Sequence, residues 1–179
     1  SQFYLLKGFF CVRNLSTLIL PAGTIIRAAS DLSSSPKNYA SIIVERCGTI
    51  EVNGTANQPV IFTSSKPAGQ RNRGDWGGLL IAGRSKHNLL NGTDNNNVQM
   101  EGFNNVTFDA NLARFGGTDV NDNSGSITYL RIEFGGVAFE TNKEINGLTM
   151  CAVGAGTTVD HIQVSYSGYS SKECFGGPF

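Results

Sequence analysis

The chain has 179 residues, of which 40% are hydrophobic and only 16% charged, and its formal net charge is zero. This length suits one domain with a sizeable core, and the lack of net charge gives no electrostatic basis for binding nucleic acid. No apolar run approaches the eighteen or so residues that a membrane-spanning helix needs, so no transmembrane segment is predicted. The 22 glycines and the scarcity of helical apolar spacing favour short strands joined by tight turns.

The first predicted strands are two similar segments, 17–20 and 49–52, that lie 32 residues apart. Their matching apolar positions are Leu18, Leu20, Ile50 and Val52. Alternate residues are apolar within each segment, which is typical of a strand with one buried face. A third strand is predicted near 60–63.

The second half of the chain repeats the pattern in segments 128–134 and 161–166, again 32 residues apart. Here the residues predicted to point inward are Leu130, Ile132, Phe134, Ile162 and Val164. The residues between them are predicted to point outward: Arg131, Glu133 and Gln163. Glu51 is predicted to point outward in the first pair of segments. Strands with a period of two that recur at a fixed longer interval predict parallel strands in stacked coils, about 4.8 Å apart.

Four polar segments interrupt the repeat and are predicted to be loops, at 28–41, 64–75, 84–106 and 116–126. In stacked-coil proteins such insertions gather on particular faces and carry the binding functions. We therefore expect an all-β solenoid with loop insertions, forming one domain over residues 1–179.

Seven motifs in order resemble a known family of right-handed parallel β-helix surface proteins, and together they cover nearly the whole chain. They are Tyr4-Leu-Leu-Lys-Gly-Phe9, Pro21-Ala-Gly-Thr-Ile-Ile26, Gly54-Thr-Ala-Asn-Gln-Pro-Val-Ile-Phe-Thr-Ser64, Gly74-Asp-Trp-Gly-Gly-Leu-Leu80, Phe115-Gly-Gly-Thr-Asp-Val-Asn-Asp-Asn-Ser-Gly125, Glu144-Ile-Asn-Gly-Leu-Thr149 and Phe175-Gly-Gly177. The family is best represented among secreted proteins and lipoproteins of Bacteroidetes. The resemblance implies a right-handed parallel β-helix and a secreted or cell-surface location, and it implies no reaction. Two features depart from the family: Ser170-Ser171-Lys172 replaces an acidic pair, and the chain has four cysteines.

The C-terminal segment 174–179 ends on an apolar coil without a polar cap. An open coil leaves backbone groups and apolar side chains without a neighbour. We expect this end to be covered by further sequence of an incomplete chain or by self-association with another subunit.

The four cysteines show no zinc-binding spacing. Cys151 and Cys174 are about one short coil apart, and the spacing between coils suits a disulfide, so a Cys151–Cys174 bridge is predicted. A Cys11–Cys47 bridge requires a slip within a turn, because the 32-residue register places Cys11 against Ile43. Free buried thiols are the alternative.

Asn-x-Ser/Thr sequons make Asn14, Asn53, Asn91 and Asn105 candidate glycosylation sites. In a eukaryotic source we expect at least one to carry a glycan, whereas in a bacterial source they are turn residues. Trp76 is a possible glycan contact, with a buried aromatic beside glycines as the alternative.

Residues 119–125 offer several oxygen ligands for calcium, but they lack the glycine and the final acid of a calcium loop. Asx residues that cap a turn explain the segment equally well, and no cofactor is predicted. No catalytic motif is present, and neither His87 nor His161 has a partner nearby in sequence. We therefore expect a non-enzyme.

The leading hypothesis for function is an extracellular structural β-helix that displays loops for adhesion or for contact with glycans or neighbouring surface proteins. One alternative is a subunit of an extracellular filament or appendage. The other is a polysaccharide-degrading enzyme, since parallel β-helices include lyases and glycosidases.

Overall fold

The computed structural model describes residues 2–31, 33, 38–88, 98–101, 103, 112–140 and 143–178. Within them the chain forms sixteen β-strands and no helix. The strands are β1 (Phe3–Lys7), β2 (Phe9–Val12), β3 (Thr17–Pro21), β4 (Ile25–Ala29), β5 (Ser41–Val44), β6 (Thr49–Asn53), β7 (Val60–Ser64), β8 (Gly78–Ala82), β9 (Val98–Gln99), β10 (Arg114–Phe115), β11 (Gly125–Glu133), β12 (Val137–Glu140), β13 (Lys143–Ile145), β14 (Leu148–Cys151), β15 (Thr158–Ser165) and β16 (Lys172–Phe175).

Twelve of these strands stack in parallel to form three faces. Face 1 contains β1, β4, β7 and the C-terminal halves of β11 and β15. Face 2 contains β2, β5, β8, β14 and β16. Face 3 contains β3, β6 and the N-terminal halves of β11 and β15. The chain visits the faces in turn, so the architecture is a parallel β-helix, as the sequence predicts.

The 32-residue interval is the register of the stacked strands. Leu18 lies beside Ile50 in the β3–β6 pair, and Leu130 lies beside Ile162 in the β11–β15 pair. Gly125 opens β11 with a φ of +114°. Any side chain there would collide with the backbone of Ile50 in the coil below, so the close approach of these strands requires glycine.

The three faces enclose one apolar core. Eight of the nine residues predicted to point inward belong to this core or pack against it: Leu18, Leu20, Ile50, Val52, Leu130, Ile132, Ile162 and Val164. Arg131 and Gln163 are exposed, and Glu51 and Glu133 are half-buried on the outside. The predicted inward and outward positions are thus confirmed with one exception.

The exception is Phe134, which was predicted to point inward. It follows the last residue of β11 and has a φ of +63°. This left-handed conformation ends the alternation of the strand and turns the side chain outward, where its ring stacks on Tyr166. Tyr129 interrupts the same strand with a φ of +49°, which separates the inward residues Ile127 and Leu130 by three positions instead of two.

A second apolar cluster lies outside face 2 and was not predicted. Outward residues of that face, such as Ile43, Leu80 and Cys151, pack against Phe103 and Leu112 from the insertion that follows β8. Two small antiparallel pairs, β9 with β10 and β12 with β13, belong to the segments that build this layer. The predicted loop 84–106 is therefore partly a cover for face 2, although much of it lies outside the described residues.

The first coil exposes its apolar side chains. Large hydrophobic residues with much of their surface open to solvent on β1, β2, β3 and the turn between β2 and β3 are Phe3, Tyr4, Leu5, Phe10, Leu15 and Ile19. In the part of the chain that the structure describes, no helix has the length and hydropathy to cross a membrane.

Candidate functional site

The outer side of face 1 carries a row of polar side chains, here called the polar row: Thr63, Arg131, Glu133 and Gln163. They point outward because their strand neighbours point into the core. The Arg131 Nε donates a hydrogen bond to the Gln163 Oε1 at 3.3 Å across the two coils. The buried Thr63 hydroxyl donates to the Glu133 Oε2 at 3.0 Å, so the row consists of two hydrogen-bonded pairs.

Two aromatic pairs flank the polar row. The first stack consists of Tyr129 and His161, whose ring centroids lie 4.2 Å apart with an angle of 19° between the ring planes. The second stack consists of Phe134 and Tyr166, at 5.1 Å and 9°. Tyr166 is 60% exposed, and His161 is exposed as well. Each stack therefore presents a ring to solvent at one edge of the face.

All four stacked residues have left-handed backbone conformations, with φ of +49° at Tyr129, +63° at Phe134, +53° at His161 and +54° at Tyr166. Glycine or asparagine is the usual residue at such a position, because a larger L-residue costs about 1–2 kcal/mol there. Ring stacking stabilises each pair by about 0.5–1.5 kcal/mol. This offsets only part of the conformational cost of the two residues in the pair. Strain of this kind concentrates at functional sites.

The loop that follows β7 completes the site beside the second stack. The Arg71 guanidinium lies 6.0 Å from the centre of the Phe134 ring, and its Nη1 donates to the Thr63 hydroxyl oxygen at 3.4 Å. The Arg73 Nη1 donates to the backbone carbonyl of Ser167, next to Tyr166, at 2.9 Å. Arg71 therefore ties the loop to the polar row and to the second stack, and Arg73 ties it to the backbone beside that stack.

Asp75 fixes the shape of this loop. Asp75 is 6% exposed, and its carboxylate accepts hydrogen bonds from the Ser64 hydroxyl at 2.6 Å, the Lys66 ammonium at 2.6 Å and the backbone N–H of Asn72 at 2.9 Å. Burial raises the pKa of Asp75, but the bonds from Lys66, Ser64 and Asn72 outweigh it, and the net pKa is lowered. Asp75 is thus an ionised anchor for the loop, not a proton donor at neutral pH.

Trp76 has no exposed surface and stands behind the polar row. Its Nε1 donates to the backbone carbonyl of Glu133 at 2.8 Å, and its ring meets Phe62 edge-on. A sugar cannot stack on a ring that is wholly enclosed, so the interpretation of Trp76 as a glycan contact is wrong. The alternative, a buried aromatic beside glycines, is confirmed.

Comparison with known families agrees with this architecture. A family model described as the pectate-lyase-like beta helix domain matches residues 1–179. The chain belongs to that family. No curated protein and no solved structure matched the chain.

In this β-helix domain the four cysteines, all within the described residues, form no disulfide. Cys151 lies beside Phe175, and Cys174 beside Met150. Adjacent residues of a strand point to opposite sides of the sheet, so the Cys151 and Cys174 side chains face away from each other. The sequence spacing identified neighbouring coils correctly but missed this offset of one residue, and the predicted Cys151–Cys174 bridge is not formed.

The candidate Cys11–Cys47 bridge is not formed either. Cys11 lies beside Ile43 in the β2–β5 pair, whereas Cys47 is exposed in the turn after β5, with a φ of +66°. The alternative of a buried free thiol holds for Cys151, whose pKa is raised well above its usual value by burial and by nearby Glu173. Cys47 and Cys174 are exposed, so that alternative does not describe them.

The acidic run 119–125 is organised by an arginine. The Arg84 guanidinium donates to Asp122 at 2.8 Å and to Asp119 at 3.3 Å. The Asn123 side-chain oxygen accepts from the Gly125 amide at 2.7 Å, so Asx residues cap the turn as one interpretation predicted. Among the described residues, no group of three or more His, Cys, Asp or Glu side chains is placed to hold a metal ion.

The remaining candidate residues are dispersed over the β-helix domain. Asn14 is exposed in the turn before β3 and Asn53 is exposed at the end of β6, whereas Asn91 and Asn105 lie outside the described residues. His87 is half-buried, with its ring edge-on to Phe115 at 5.8 Å. His161 is exposed; its ring stacks on Tyr129, and its Nδ1 lies 2.9 Å from the Asp160 carboxylate.

Proposed function

We propose that this β-helix domain binds a glycan on the outer side of face 1, with the two aromatic stacks as platforms for sugar rings. The observation that carries the proposal is the placement of four strained aromatic residues on both edges of the polar row. Exposed flat rings accept the apolar side of a sugar ring, and nearby polar groups then bind its hydroxyls. Glycine adopts such a corner without strain, whereas each of these four corners carries a ring.

The charges on the face favour an anionic glycan. Arg27, Arg71 and Arg131 lie on or beside the outer side of face 1, and Glu133 is the acidic member of the polar row. Arg27 lies beside Thr63 in the β4–β7 pair, which extends the polar row by one coil. Because this surface is open to solvent, binding of an anionic glycan should weaken as salt concentration rises.

A secreted or cell-surface location belongs to the same proposal. The ordered motifs from Tyr4 to Gly177 support it, since they resemble surface proteins with this fold, best represented in Bacteroidetes. Asn14 and Asn53 are exposed, so glycans attached to either sequon would point into solvent. A surface protein that contacts glycans through one face of a rigid β-helix would serve in adhesion.

Cleavage of the glycan is a second candidate, favoured by the position of Arg131 and Glu133 on the same side of one strand. Elimination requires a base that removes a proton from the sugar ring; in this candidate the Glu133 carboxylate is that base, and the Arg131 guanidinium, which stays protonated, pairs with a carboxylate of the sugar. Hydrolysis uses a pair of carboxylates, and the polar row supplies Glu133 alone. We therefore place binding ahead of cleavage.

A binding panel tests the proposal. The purified chain is titrated with polygalacturonate, alginate, xylan and mixed-linkage glucan by affinity electrophoresis and calorimetry. The matched variants are Arg131→Ala and Arg13→Ala, each of which removes one exposed arginine, the latter far from face 1. We expect binding of an anionic polymer that Arg131→Ala weakens and Arg13→Ala does not. Equal effects of the two variants, or no binding to any polymer, would refute a site on face 1.

The same reactions are followed for new reducing ends and for unsaturated products. Release of either by the wild type, with loss of release in Glu133→Gln, would establish cleavage as the function. Binding without release supports the adhesion hypothesis.

A further inference from the structure

The two aromatic stacks stand at opposite ends of the C-terminal halves of β11 and β15, the halves that belong to face 1. Tyr129 and Phe134 are five residues apart in the sequence, and so are His161 and Tyr166. Five extended residues at about 3.3 Å each span about 16 Å. One sugar ring cannot reach across that distance, whereas a short linear oligosaccharide can.

Resting on the glycan-binding function proposed above, we propose that the bound chain lies along the strands, across the axis of the β-helix. One sugar ring rests on the first stack, another rests on the second stack, and the rings between them lie over the polar row. The site would then select linear glycans by length, because only a chain that spans the face engages both stacks.

The first stack opens onto the polar row without a barrier. Tyr129, His161, Arg131 and Gln163 line one shallow depression with a volume of about 550 Å³, within the range of small-ligand sites. A sugar on the first stack is therefore already within reach of the arginine and the amide. The next sugars along the strand meet Glu133, whose carboxylate is held by the buried Thr63 hydroxyl, followed by the second stack.

The contacts below the stacks disfavour the other orientation, along the β-helix axis. Gly54 lies directly against Tyr129, where an added Cβ would come within 3.0 Å of the Tyr129 Cβ, and as glycine it adds no ring to the first stack. Below the second stack, the Arg71 guanidinium covers Phe134 at 6.0 Å. Among the described residues, neither stack has a further aromatic ring below it in the lower coils. A glycan that runs along the axis would therefore stack on one pair of rings and find no ring for its next sugars.

Oligosaccharides of defined length test the orientation. The probes are fragments of one to six sugar units, prepared from the panel polysaccharide that the wild type binds most tightly. The variants are His161→Ala in the first stack, Tyr166→Ala in the second, and Tyr169→Ala as the matched control, since Tyr169 is an exposed tyrosine outside both stacks. Circular dichroism and thermal unfolding confirm that each variant is folded.

We expect wild-type affinity to rise steeply once a fragment spans the face and to level off thereafter. His161→Ala and Tyr166→Ala should each weaken binding of the long fragments about tenfold. Both variants should bind the shortest fragments within about twofold of wild type, because a short fragment can occupy the remaining stack. Tyr169→Ala should match wild type at every length.

Two results would overturn the orientation and leave the glycan-binding function intact. One is loss of affinity in only one of the two stack variants at all lengths. The other is an equal loss in both variants for even a single sugar unit. If the wild type binds no polysaccharide of the panel, the glycan-binding function itself fails.

Discussion

Replacement of Ile132 by aspartate tests whether the inward register of β11 is correct. Ile132 is 0% exposed and lies between Phe62 of β7 and Val164 of β15 in the stacked sheet. The substitution places a carboxylate among apolar side chains that offer it no hydrogen-bond donor.

The expected cost follows from two contributions. Loss of a fully buried isoleucine costs about 1.5–3 kcal/mol. Burial of an unpaired carboxylate, or its forced protonation, adds several kcal/mol. The sum is comparable with the total stability of a typical domain, about 5–15 kcal/mol, so Ile132→Asp should fail to fold.

The matched control is Arg131→Asp, which introduces the same side chain one position earlier, on the exposed side of the strand. Soluble yield, circular dichroism and thermal unfolding are compared for the two variants and the wild type. Arg131→Asp should fold with a melting temperature close to that of the wild type. A well-folded Ile132→Asp protein would show that the register is wrong by one residue, since a slip of one residue reverses every side chain of a strand.

Three further substitutions probe the supports of the site. Asp75→Asn should lower the melting temperature at pH 7 by about 2–4 °C for each kcal/mol lost. The difference in melting temperature from wild type should shrink below about pH 4. Ionised Asp75 stabilises the fold at pH values above the usual carboxyl pKa, and this stabilisation is lost as the pH falls through the lowered pKa of the folded protein. A scan of melting temperature against pH checks both expectations. Trp76→Phe removes the hydrogen bond to the Glu133 carbonyl and should cost about 1–3 kcal/mol in urea unfolding; an unchanged midpoint would contradict the role assigned to this bond. Gly125→Ala should reduce soluble yield, because a Cβ collides with the backbone of Ile50; a normal yield would mean that these strands can separate.

The sequence revealed the fold because two pairs of stacked strands keep the same spacing. Leu18 with Ile50 and Leu130 with Ile162 are 32 residues apart and neighbours in the structure. Other stacked pairs are hidden by insertions of different length. Ile61 and Arg131, for example, are neighbours in the structure but far apart in the sequence, because the loop after β7, the cover of face 2 and the acidic turn lie between them.

The site was only partly predictable. The outward positions of Arg131, Glu133 and Gln163 follow from strand alternation, but the aromatic corners do not. A period of two placed Phe134 inward, since nothing in the type of an aromatic residue signals a left-handed backbone. The burial of Trp76 could not be predicted from the sequence either, because it depends on which strands pack over the ring.

An NMR titration locates the glycan that we propose to lie across face 1 between the two stacks. The isotopically labelled chain is titrated with the oligosaccharide that binds most tightly. We expect the largest shifts in amides and side chains of residues 129–134 and 161–166, at both ends of the strands, and none in 172–175 on face 2. Shifts confined to face 2 or to the insertions would contradict a glycan site on face 1, and shifts at one corner alone would contradict a chain that spans it.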